Sequence, residues 1–143
     1  MRCMVVSDSA TTRRILVNAL AAAGCDDVLA VADGREAAEA ADASVAAIVT
    51  DWGLPGLNGI ELARLLRSRE ECAGVRILMV TSRNARADVE RAIDSGVDVY
   101  LLKPFTPDSL RAKIDELIQP LLERMMAENG EAGSDAGPEA RAA

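Results

Sequence analysis

The sequence predicts an open α/β domain: a parallel sheet of five strands carrying five helices on its two faces. Three observations carry this. Five short apolar runs rich in β-branched residues, at 3–6, 28–31, 46–50, 76–81 and 98–102, alternate with five stretches of helical periodicity. Several runs lack polar alternation, as strands buried on both faces do. Strand–helix units in strict alternation build one sheet, because each crossover helix packs back onto it. A chain of 143 residues suits one such domain.

The elements follow in order. After the first run, residues 10–23 place Ile15, Leu16, Ala19, Leu20 and Ala23 on one helical face. The second run precedes a short helix at 34–41, and the third a helix at 59–70. The fourth is followed by a helix at 84–95, with Val89, Ala92 and Ile93 along one side. Asn84 is its expected cap and Gly96 its stop signal. The last helix begins near Pro107 and carries Leu110, Ile114, Leu117, Ile118 and Leu121 at helical spacing. Pro120 lies inside that pattern and is expected to kink or end it. From Glu128 on, Gly, Ala, Glu, Ser and Pro replace the periodicity. The expected folded domain is therefore 1–127, with 128–143 a disordered tail and no output domain after it.

Composition narrows the chemistry. Aromatic residues make up 2% of a chain that is 50% hydrophobic, so the core must be built from Val, Leu, Ile, Ala and Met. Sixteen Lys and Arg against 23 Asp and Glu give a net charge of -7. That balance argues against direct binding to nucleic acid or an anionic membrane. There is no histidine. Histidine-based triads, histidine-ligated zinc and imidazole base chemistry are thereby excluded, and a phosphohistidine, if used, must belong to a partner. Cys3, Cys25 and Cys72 are widely spaced and read as free buried thiols. No signal peptide or membrane-length apolar run is visible, so a cytoplasmic location is expected.

In an open α/β sheet the ligand site lies outside the carboxyl ends of the strands. There the first strand presents Ser7 and Asp8, the third Thr50 and Asp51, the fourth Thr81 and Ser82, and the fifth Lys103. Singly these are weak signals, since an Asp or Thr after a strand is more often a cap. Together they suit phosphoryl transfer to a carboxylate. Asp8 and Asp51 could hold Mg²⁺, which takes oxygen ligands and few protein ones. Lys103 would neutralise phosphoryl charge, Thr81 would hydrogen-bond a phosphoryl oxygen, and Asp51 would be the nucleophile.

The segments VVSDSATTRR, TDWGLPGLNG, ILMVTSRN and YLLKPFTPDSL resemble those of response-regulator receiver domains, most of all the chemotaxis type. The likeness covers residues 2 to about 126. It implies a flavodoxin-like sheet of order 2-1-3-4-5. It makes Asp51 the phosphoacceptor, Asp8 a metal ligand and Gly53 the donor of a backbone carbonyl to the metal. It also makes Thr81 the switch hydroxyl, Tyr100 the switch aromatic and Lys103 the phosphoryl-contacting lysine. Lys103–Pro104 matches a bond often cis in the family, and Asn58–Gly59 matches the usual start of the third helix.

The likeness implies a mechanism and partners as well. Phosphorylation would draw Thr81 inward, let Tyr100 rotate, and reshape the surface of helix 4, strand 5 and helix 5. The donor would be a sensor histidine kinase or histidine phosphotransfer protein. The listener would be another protein, with a flagellar motor switch one candidate. The chain would be a signalling phosphoacceptor rather than a turnover enzyme, limited to self-catalysed phosphotransfer and dephosphorylation. One departure stands out: Ser7 replaces the first of two adjacent acids, which predicts weaker Mg²⁺ binding. Arg83 occupies a position that varies and tunes phosphoryl lifetime, and could contact the phosphate or hinder water. Trp52, the one tryptophan, should report on the site.

Other readings compete. Because of Ser7, the chain could be a degenerate receiver that binds proteins without phosphorylation. A haloacid-dehalogenase-type phosphatase needs a second Asp two residues after its nucleophile, where this chain has Gly53. A nucleotide-binding module needs GxGxxG or a Walker lysine, and neither is present.

Overall fold

The structure is a computed structural model that describes residues 1–132, with side chains through residue 128. Its strands are β1 (Arg2–Val6), β2 (Asp27–Val31), β3 (Val45–Asp51), β4 (Arg76–Thr81) and β5 (Val99–Leu102). The helices are α1 (Ala10–Ala22), α2 (Gly34–Ala40), α3 (Gly59–Ser68), α4 (Arg86–Asp94) and α5 (Pro107–Ala132). All strand pairs are parallel, in the order β2-β1-β3-β4-β5, as the resemblance implied.

Side-chain alternation divides the core into two layers. Cys3 and Val5 of β1, Ala47 and Val49 of β3, and Leu78 and Val80 of β4 face α1 and α5. Met4 and Val6, Ile48, and Ile77 and Met79 face the layer of α2, α3 and α4. With both faces of β1 buried, polar alternation has no place in it, and each fully buried aliphatic side chain contributes roughly 1.5–3 kcal/mol.

Several boundaries differ from expectation for identifiable reasons. In α1, Leu16 and Leu20 are buried while Ile15 is 43% exposed, so the inward stripe is narrower than the pattern suggested. The third helix ends at Ser68 and resumes as a short 3₁₀ turn, Glu70–Cys72. Arg69, between them, is extended and donates to the Ala38 carbonyl at 2.6 Å. Asn84 does not cap α4: Ala85 occupies that position without a side-chain bond. The α4 stop does fall at Gly96, which has a φ of +103°. Asp98 lies just outside β5, where its carboxylate accepts from the Ile77 amide at 2.8 Å and pairs with Arg67 and Arg76.

Pro120 neither ends nor interrupts α5. A proline at this position deprives the Glu116 carbonyl of its helical donor. Arg76 supplies the replacement: Nη2 donates to the Glu116 carbonyl at 3.1 Å and Nε to the Leu117 carbonyl at 3.2 Å. The helix runs to Ala132, past the expected end of the domain at 127. The rest of the expected tail, 133–143, lies outside the described residues. Among the described residues, no helix is long and apolar enough to cross a membrane.

Candidate functional site

The carboxyl ends of β1, β3, β4 and β5 open on a cleft of about 280 Å³. It is lined by Asp8, Asp51, Trp52, Gly53, Thr81, Ser82, Arg83 and Lys103. Of the rim residues expected from the sequence, Asp8, Asp51, Thr81, Ser82 and Lys103 line it, while Ser7 and Thr50 are buried and do not. Ser7 lies beneath the cleft, behind Asp51, and Tyr100 stands beside it. A larger groove of about 640 Å³ between α1 and α5 holds none of these residues.

Asp51 is 4% exposed and ends β3. Ser7, wholly buried, donates its hydroxyl to Asp51 Oδ2 at 2.6 Å. Ser7 is held on every polar atom. Its amide donates to the Val31 carbonyl at 3.1 Å, its carbonyl accepts from Arg13 at 2.7 Å, and its Oγ accepts from the Ser9 amide at 3.2 Å. The other Asp51 oxygen, Oδ1, lies 3.1 Å from Lys103 Nζ, but the two are not aligned for a hydrogen bond. The phosphoacceptor candidate thus has one satisfied oxygen and one buried oxygen balanced by charge alone.

The loop after Asp51 is clamped at both ends. The Gly59 amide donates to the Trp52 carbonyl at 2.7 Å, and the Gly34 amide to the Pro55 carbonyl at 3.2 Å. A Cβ on Gly59 would collide with the Asp51 carbonyl oxygen and stand 2.8 Å from Met79 Cε. Asn58 and Glu61 start α3 with a reciprocal capping box, at 2.8 and 3.1 Å, which fixes the loop exit. Gly53 differs from Gly59 in having open space where a Cβ would be. The Lys103–Pro104 bond is cis, as the resemblance implied.

Arg83 turns toward Trp52 and α4. Its guanidinium lies 4.6 Å from the centre of the Trp52 ring, and Nη1 is 3.6 Å from Asp88 Oδ1. Its amide donates to Thr81 Oγ1 at 3.1 Å, and its carbonyl accepts the Tyr100 hydroxyl at 2.8 Å. Arg83 therefore links Thr81 to Tyr100 through its own peptide group. The Tyr100 phenol is raised above its ordinary value, mainly by burial and then by the Asp88 charge. Sequence reasoning missed the grips of Arg13 on Ser7 and of Arg83 on Trp52, because both depend on spatial rather than sequence neighbours.

Whether the site suits a divalent cation can be judged from its donors. Among the described residues, no three or more His, Cys, Asp and Glu gather at one point. What the cleft offers is two acidic residues, Asp8 and Asp51, with Gly53 beside them in the lining. Oδ1 of Asp51 is buried without a hydrogen bond, so it has unused acceptor capacity. That small oxygen set fits a hard cation that keeps most of its water.

A five-stranded doubly wound sheet with an aspartate, a hydroxyl and a lysine at this rim defines a class of phosphoacceptor domain. The family model described as the response regulator receiver domain matches residues 3–115, and the chain belongs to that family. It is 38% identical over 120 residues to a chemotaxis protein CheY homolog of Campylobacter jejuni, covering 82% of this chain and 92% of that one. The same identity over 120 residues holds for chemotaxis protein CheY1 of Helicobacter pylori, covering 82% and 97%. Among solved structures, chemotaxis response regulator CheY4 of Vibrio cholerae superposes with a TM-score of 0.72 at 28% identity, covering 81% and 97%. The receiver domain of the Pseudomonas aeruginosa sensor histidine kinase PA1611, which has a magnesium ion coordinated in its active site cleft, superposes with a TM-score of 0.69 at 28% identity. It covers 82% of this chain and 97% of that one.

Proposed function

We propose that this receiver accepts a phosphoryl group on Asp51 from a partner's phosphohistidine and passes the change to a protein listener. The observation that carries the reading is the asymmetry of Asp51: Oδ2 is held by Ser7, while Oδ1 lacks a hydrogen bond and sits 3.1 Å from Lys103 Nζ. Oδ1 is the attacking oxygen. Ser7 fixes the carboxylate plane, and Lys103 offsets charge on the incoming group. Mg²⁺, held by Asp8, Asp51 and the Gly53 carbonyl, would add further charge neutralisation at the phosphoryl oxygens. The magnesium coordinated in the cleft of the PA1611 receiver supports this assignment.

A phosphoryl group adds about −1.5 to −2 charge and three strong acceptors. Thr81, which now accepts from the Arg83 amide, is the hydroxyl placed to answer it. Moving Thr81 would disturb the Arg83 peptide and with it the Tyr100 hydroxyl. By this route the change reaches α4, β5 and α5. The chain itself turns over no external substrate; it works in the cytoplasm beside a histidine kinase or phosphotransfer protein. The likeness to chemotaxis receivers favours a flagellar motor switch as listener.

The test is incubation with Mg²⁺ and acetyl phosphate, followed by intact mass, beside Asp51→Asn. One phosphoryl adduct that requires the cation and vanishes in the variant is expected. No adduct from acetyl phosphate or from a panel of histidine kinases would leave a protein-binding scaffold as the better reading.

A further inference from the structure

On the far side of the sheet from the cleft, Cys3 and Cys25 bring their sulfur atoms within 2.9 Å. A disulfide bond is about 2.05 Å long, so the pair is less than ~1 Å from covalent distance. Cys3 belongs to β1, and Cys25 lies in the turn between α1 and β2. The two strands run in parallel with Cys3 opposite Val28, which brings the start of β2 alongside. Both cysteines are core members of the α1–α5 layer, exposed by 0% and 3%. Cys72 is buried in the other layer, with the sheet between.

Within the pair the roles differ. Cys3 donates its S–H to Cys25. That bond lowers the Cys25 thiol below its ordinary value, against the opposing effect of burial. The same bond, reinforced by burial, pushes Cys3 upward. Cys25 is thus the more acidic of the two thiols and Cys3 the less acidic.

We infer that Cys3 and Cys25 form a dithiol–disulfide couple that hydrogen peroxide closes within the folded protein. Cys25 gives up its proton and attacks one peroxide oxygen; the S–O bond forms, the O–O bond breaks, and the hydroxide that leaves takes that proton to become water. Cys3 then loses its proton and attacks the Cys25 sulfur. The S–S bond forms as the S–O bond breaks, and the oxygen departs as water with that proton. Two thiols give up two electrons and one peroxide becomes two waters. The slight exposure of Cys25 favours a small oxidant over a bulky disulfide. Nothing in this step involves Asp51, so the inference stands apart from the phosphoacceptor reading.

The experiment treats the full folded chain with dilute hydrogen peroxide, quenches it and takes intact and tryptic masses. Cleavage after Arg2, Arg13 and Arg14 separates the two cysteines onto different peptides, so a link between them is readable. The expected result is loss of two hydrogens, a peptide joining Cys3 to Cys25, the same link in Cys72→Ser, and reversal by dithiothreitol. Cys25→Ser should abolish the link. If that variant fails to fold, the peptide map of the wild type and of Cys72→Ser decides the matter. Oxygen added to separate cysteines, a link through Cys72, or a Cys3–Cys25 link that forms only in denaturant would overturn the inference.

Discussion

The Ser7 hydroxyl donates to Asp51 Oδ2 across 2.6 Å, with both groups buried. A buried carboxylate oxygen robbed of its donor costs about 1–3 kcal/mol. Ser7→Ala should therefore lower stability in urea by that amount, with Ser7→Thr retaining most of it. Ser7→Asp instead sets two carboxylates together in a buried site. Its melting temperature should fall without divalent cation and rise more steeply with added Mg²⁺ than the wild type's; an equal Mg²⁺ response in both proteins would refute this.

Lys103 places a positive charge 3.1 Å from Asp51 Oδ1. It should compete with a divalent cation for that oxygen. Lys103→Met is expected to tighten Mg²⁺ binding, read by Trp52 fluorescence, by up to about tenfold, the equivalent of ~1.4 kcal/mol. The same variant should form phosphoryl adduct more slowly, because the incoming group meets less positive charge. Weaker Mg²⁺ binding in this variant would show that Lys103 helps build the cation site instead.

Two glycines flanking the same loop should respond oppositely to alanine. A Cβ on Gly59 meets the Asp51 carbonyl and Met79, whereas one on Gly53 meets nothing within 4 Å. Gly59→Ala should cost about 1–3 kcal/mol through overpacking. Gly53→Ala should stay within about 0.5 kcal/mol of wild type. Urea denaturation of the two variants side by side is the check.

Arg76 and Pro120 form a compensating pair. Arg76→Ala leaves the Glu116 and Leu117 carbonyls without their guanidinium donors and should destabilise by roughly 1–3 kcal/mol. Pro120→Ala restores the helical N–H that Glu116 lacks. It should stabilise the Arg76→Ala background more than the wild type, and a double-mutant cycle with no coupling between the two would contradict the account.

Tyr100 is the sole tyrosine, so tyrosinate absorbance reports it cleanly. Its folded value lies above that of a free tyrosine. The linked stability is present below the unfolded value and is lost as pH rises through the folded one. Asp88→Asn should move the titration down, because the Asp88 charge helps to raise it. Thr81→Ala should move it further up, because the Thr81 side chain lowers it.

Much of this architecture could be read from the chain because its strands are buried on both faces. β4, the continuous run Arg76–Thr81, fell at the expected residues for that reason. The rim residues were legible too, since strand ends in a doubly wound sheet must meet. Local signals failed where tertiary partners took over. Asn84 has the composition of a cap, yet α4 starts after Ala85. Pro120 has the composition of a helix stop, yet an arginine from a distant strand satisfies the carbonyl it orphans. Ser7 read as a lost charge, and only the fold shows it as a hydrogen-bond donor to Asp51.

The layer holding Cys3 and Val5 is closed by Leu110, Ile114, Leu117 and Ile118 of α5. During synthesis these side chains leave the ribosome long after β1 does. Until they arrive, the α5 side of β4 and β5 has no lid, and the nascent sheet cannot complete its core. A nascent chain that has emerged only as far as the residue before Leu110 is thus an unfinished domain with an apolar face still open, whereas the layer of α2, α3 and α4 has by then all its parts.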